Sequence, residues 1–117
     1  KPVKVFGFPY GGMPFQHNTF YATRRVFDAV GNYNINYNTA MDFDFLLRVL
    51  KMNFKSYYLD KNLTVYYRGG MSDKHYIAGN LEVICASLTY ENVSFLRVIG
   101  NALSNILKTI IRKVFKI

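Results

Sequence analysis

The chain has 117 residues, of which 50% are hydrophobic and 19% charged, so it is rich enough in apolar side chains for a folded core and long enough for one domain. Its net charge is +8, and its one cysteine, Cys85, excludes an internal disulfide and reads as a core residue of a reducing compartment. No run approaches the roughly 18 consecutive apolar residues of a membrane-spanning helix, because Lys, Arg, Asn or Ser interrupts every candidate.

In chain order, Lys1–Phe8 reads as a strand that starts without a cap or signal segment, the expectation for a chain cut from a longer one. Pro9-Tyr10-Gly11-Gly12-Met13-Pro14 marks a loop. Phe15–Thr23 then alternates, with Phe15, His17, Thr19 and Tyr21 on one face and Gln16, Asn18, Phe20 and Ala22 on the other, and is predicted as a strand inside a sheet. Arg24–Val30 is a short helix stopped by Gly31.

Between about Ala40 and Met52, Phe43, Leu46, Leu47 and Leu50 recur at helical spacing, with Asp42 and Asp44 in the first turn where the helix dipole favours negative charge. Ser56–Leu59 and Leu63–Tyr67 read as short strands around an Asp60-Lys61-Asn62 turn. Arg68-Gly69-Gly70 ends the second of them, and Ser72 caps a helix reaching about Tyr90. Interleaved helix and strand signals predict an α/β domain over residues 1–91.

Residues 92–117 form a separate segment. Leu96, Ile99, Leu103, Ile106, Leu107, Ile110, Val114 and Ile117 share one helical face, while Arg97, Lys108, Arg112, Lys113 and Lys116 occupy the rest. No acid follows Glu91, so this basic amphipathic helix suits an anionic membrane surface; the alternative is a helix that completes the core or a dimer interface.

Chemistry concentrates in Met41-Asp42-Phe43-Asp44-Phe45-Leu46-Leu47-Arg48. Asp44 and Arg48 are an i,i+4 pair with the acid on the N-terminal side, a favourable structural arrangement. Asp42 lies about 200° round the helix from Asp44, so the two cannot converge on one bond as a hydrolase dyad does. Both could simply sit well in a first turn.

Four linked segments, however, resemble the second half of bacterial family 2 glycosyltransferases of the GT-A fold in order and spacing. They are Met13-Pro14-Phe15-Gln16-His17, Phe20 to Phe27 with Val30-Gly31, Met41 to Arg48, and Tyr66-Tyr67-Arg68-Gly69-Gly70-Met71-Ser72. The resemblance covers roughly Gly11 to Asp73. It implies a partial GT-A-like fold, with a short mixed sheet and flanking helices, and inverting transfer of a sugar from a nucleotide diphosphate donor to an acceptor hydroxyl. The product would be a cell-surface polysaccharide or glycolipid. It further implies a divalent cation, Mg or Mn, in the complete enzyme, Asp42 as general base, and Asp44 and Arg48 as groups that hold the site in register. His17 then borders the acceptor pocket, where it hydrogen-bonds a ligand or serves the fold alone. Gly69, Gly70 and Ser72 either meet a phosphate or make a plain turn and cap. His75 is at best a weak candidate metal ligand.

The nucleotide-binding first half and its Asp-x-Asp metal motif are missing upstream, and Asp42-Phe43-Asp44 opens a helix where that motif ends a strand. The expectation is a transferase portion inactive alone, cytoplasmic or peripheral on the inner face of the membrane, and prone to self-associate through an unpaired strand edge. With no Trp there is no Gln-x-x-Arg-Trp segment, which sets aside a polymer synthase. The alternative is a non-enzymatic module that docks on a membrane or partner. Ten Tyr and ten Phe on a basic chain also suit nucleic-acid binding, but their place beside other apolar residues fits core packing better, and no nucleic acid is expected.

Overall fold

The computed structural model describes residues 9–67, 69–90 and 93–115. The expected strand over Lys1–Phe8, and Arg68, Lys116 and Ile117, lie outside them. A 3-10 turn at His17–Thr19 is followed by α1 (Arg24–Val30), α2 (Met41–Lys51), α3 (Met71–Lys74), α4 (Tyr76–Leu88) and α5 (Phe95–Phe115).

The α/β expectation, and with it the GT-A-like sheet, is overturned. Among the described residues there is no sheet, and the nearest approach to one is a single bridge residue at Tyr57. In place of a strand at 15–23, the Thr19 hydroxyl and N–H both donate to the Gln16 carbonyl, at 2.7 and 2.9 Å, and close a local turn. A strand exists only where a second backbone takes its N–H and C=O groups, and short side-chain bonds of this kind compete with that pairing. Residues 54–67 likewise run without regular structure, and Lys55–Tyr67 are exposed throughout. They are tied back where the Thr64 hydroxyl donates to the Asn18 carbonyl at 3.1 Å and lies 3.2 Å from the Tyr21 hydroxyl. The strand edge that was to promote self-association is therefore not formed by these segments.

α2 is the central element. Its residues Phe43 to Leu47 are all buried, a burial too wide for a one-faced amphipathic helix. On one side Phe43 and Leu47 meet Ala40 and Ala86, with Met13, Tyr37, Val83 and Tyr90 packed around them. On the other, Phe45 lies 4.7 Å from the Phe27 ring, 5.0 Å from Tyr33 and 6.1 Å from Phe20, centroid to centroid. Burying a side chain such as Phe45 contributes about 1.5–3 kcal/mol. Of the aromatics expected on the two faces of that strand, Phe20 packs against α2 with Phe15 beside it at 5.7 Å, whereas Tyr21 stays exposed.

The helix expected from Ser72 to Tyr90 is broken at His75 into α3 and α4. α4 passes close to the entry of α2: a Cβ added at Gly79 would sit 2.9 Å from the Thr39 hydroxyl oxygen. α5 packs along α4 through Val98 and Ala102. Cys85 is exposed, not in the core; its neighbours Ala86 and Ser87 hold the buried positions instead. No helix among the described residues is long and apolar enough to cross a membrane.

Candidate functional site

A cleft of about 260 Å³ opens where the Gly11–Met13 loop, the start of α2, α4 and α5 meet; Asp42, Tyr76, Asn80 and Asn105 are its polar side chains from the three helices. The loop is fastened at its rim, since the Asn105 side-chain amide donates to the Gly11 carbonyl at 3.2 Å.

Asp42 sits in the first turn of α2, where the unpaired N–H groups of a helix favour a carboxylate. One of its oxygens accepts the Phe43 N–H at 2.7 Å, and the other lies 3.9 Å from Nδ1 of His17. That separation is too long for a hydrogen bond, so the two side chains face each other across a gap that a bound hydroxyl or a water can bridge. The Asp42 side chain is 23% exposed and that of His17 54%, so both remain reachable from solvent.

Asp44 points the other way and is buried at 8% exposure. Arg48 holds it at 3.1 Å and spends its remaining N–H groups on the Val30 and Asn32 carbonyls, at 2.6 and 2.8 Å, with its guanidinium 5.3 Å above the Phe45 ring. The Val30 carbonyl is at the end of α1, whose exit runs through Gly31 at φ 83°, a conformation side-chain-bearing residues rarely adopt. Arg48 is thus a clamp between α2 and the C-terminus of α1. Replacing it with lysine, which keeps the charge but not the planar fork, should lower unfolding stability by about 1–2 kcal/mol in a urea titration. An unchanged midpoint would show that the fork does not hold the two helices.

Sequence reasoning missed Glu82. α2 starts at Met41, and the residue before it, Ala40, has no side-chain acceptor to cap it. Glu82 reaches over from α4 and does that work: one oxygen accepts the Asn38 N–H at 3.0 Å, and the other accepts the Thr39 and Ala40 N–H groups and the Thr39 hydroxyl at 2.8–2.9 Å. Burial alone would raise its carboxyl, but these four donors outweigh it and hold the pKa at about 2, below the ordinary 4.5. One signal was available, because Glu82 is the single acid in the apolar stretch Tyr76–Leu88 while α2 has no capping residue of its own.

Asp42 is the expected site residue that lines the cleft; His17, 3.9 Å from it, is not part of the lining, and neither are Asp44, Arg48, Gly69, Gly70 and His75. The Gly69 N–H is taken by the Asp73 carboxylate at 2.7 Å, and α3 behind it is four residues long. The Ser72 side chain lies outside the described ones. His75, at the break before α4, borders a separate crease of about 330 Å³ made only by residues 74–78 and Leu81. Among the described residues no three His, Cys, Asp or Glu side chains come together to hold a cation. The divalent metal implied by the resemblance therefore has no ligand set among them.

No protein-family model, no curated protein and no solved structure matches this chain.

Proposed function

We propose that this chain is the acceptor-side part of an inverting, family 2 glycosyltransferase in which Asp42 is the general base. As the acceptor oxygen forms its bond to the anomeric carbon and the bond from that carbon to the nucleoside diphosphate breaks, the hydroxyl proton passes to the Asp42 carboxylate. What supports the reading is the position of Asp42, partly exposed on the wall of a cleft with His17 at 3.9 Å, within the segments that carry the resemblance.

In this reading His17 hydrogen-bonds the acceptor, and Arg48, Asp44 and Glu82 fix the start of α2. Binding of the donor nucleotide and of Mg or Mn falls to residues outside this chain. At about 260 Å³ the cleft is below the roughly 300 Å³ at which small-molecule pockets begin, which suits one sugar ring better than a nucleotide sugar. The product is a cell-surface polysaccharide or glycolipid, made at the cytoplasmic face of the membrane.

Calorimetric titration of the 117-residue chain with uridine, guanosine and thymidine diphosphate sugars should give no binding heat. Micromolar binding of any one of them would place a donor site within the chain and overturn the acceptor-side assignment.

A further inference from the structure

The charge of the Asp42 cleft is the reverse of that of the chain as a whole. The chain carries a net +8, yet Asp42 is the one charged residue of the cleft lining, and no Lys or Arg is part of it. Lys113 sits 4.3 Å over the ring of the lining residue Tyr76, and its ammonium donates to the Asp73 carbonyl at 3.4 Å. The start of a helix ordinarily favours an anion. At α2 that position is filled from within the chain: Glu82 accepts the Asn38, Thr39 and Ala40 N–H groups, and Asp42 accepts the Phe43 N–H. An anionic ligand entering the cleft would meet the Asp42 carboxylate with no lining cation to offset it.

The rest of the lining suits hydroxyls. Asn80 donates one side-chain N–H to the Tyr76 carbonyl at 2.7 Å, and Asn105 donates one to the Gly11 carbonyl at 3.2 Å. Each amide is held by that bond and keeps an oxygen and a second N–H, partners for a hydroxyl that donates and accepts at once. Met13 and Val83 add apolar wall for the C–H faces of a ring. We propose that the Asp42 cleft takes an uncharged pyranose ring and turns away one that carries a carboxylate or a phosphate. The choice rests on the acceptor-site reading and makes that acceptor a neutral sugar. A like charge about 4 Å from Asp42 weakens binding about fivefold in water-like surroundings, and more where water is partly displaced.

The test is a titration of the isotope-labelled 117-residue chain with the methyl glycosides of glucose, galactose and mannose, each beside its uronide. Within a pair the ligands differ only by a hydroxymethyl group against a carboxylate. Amide shifts are followed at about pH 8, above the range in which histidines usually charge. At least one neutral glycoside should shift the amides of Asp42, Asn80 and Asn105 and bind about fivefold or more tightly than its uronide. Raised salt should narrow that gap. Asp42→Asn should close it by strengthening the uronide, with the circular-dichroism melt unchanged. A uronide that binds as tightly as its neutral partner, or a gap indifferent to salt and to Asp42→Asn, would overturn the neutral-sugar assignment and leave the acceptor-site reading standing. If no sugar of either charge moves those amides, the acceptor-site reading falls and the assignment with it.

Discussion

Glu82→Ala should lower unfolding stability by on the order of 2–3 kcal/mol, the largest loss expected from any single exposed or half-buried side chain in this fold. The carboxylate takes three backbone N–H groups and one hydroxyl at the entrance to α2, and truncation leaves those donors without their acceptor in a partly dry place. A pKa held at about 2 against an ordinary 4.5 corresponds to a similar figure, reduced somewhat by solvent. Domains of this size are stable by only about 5–15 kcal/mol, so the loss would be plain in a urea titration.

The pH dependence has a definite sign. The folded pKa lies below the unfolded one, so the contribution of Glu82 is fully present above about pH 4.5 and is lost as pH falls toward 2. Glu82→Gln keeps one carbonyl oxygen for the N–H groups but cannot titrate. Its stability should therefore lack the decline that Glu82 causes in the wild type across that range. If wild type and variant show the same pH profile, the carboxylate is not what caps α2.

The helices were legible in the sequence, because each carries its period locally. Arg24–Val30 with its Gly31 stop and the Met41–Lys51 helix match their expected ranges within a residue or two. The strands were not, since a strand is a statement about a distant partner. The alternation at Phe15–Tyr21 is met without a strand partner, with Phe20 against the buried Phe45 ring, Phe15 beside Phe20, and Tyr21 exposed. The amphipathic pattern of α5 was readable, but which side it packs was not: two small contacts, at Val98 and Ala102, decide it against the larger leucines. At the site, the Asp44–Arg48 pair follows from i,i+4 spacing alone. The additional bonds of Arg48 to α1 and the reach of Glu82 across 42 residues to Ala40 do not, because nothing local encodes them.

The central claim is that Asp42 removes a proton from a sugar acceptor, and asparagine is the substitution that isolates it. An asparagine side-chain oxygen can still accept the Phe43 N–H that Asp42 accepts at 2.7 Å, so the first turn of α2 and the fold should be retained. The amide cannot take a proton at neutral pH, and a positioned general base is worth about 10²–10⁴ in rate. The direct measurement is the turnover of sugar onto acceptor by the complete transferase carrying Asp42→Asn, with the unfolding midpoint determined on the same preparation. Turnover lower by about 10²-fold or more at an unchanged midpoint is the expected result. Near-wild-type turnover, or a variant that fails to fold, would contradict it.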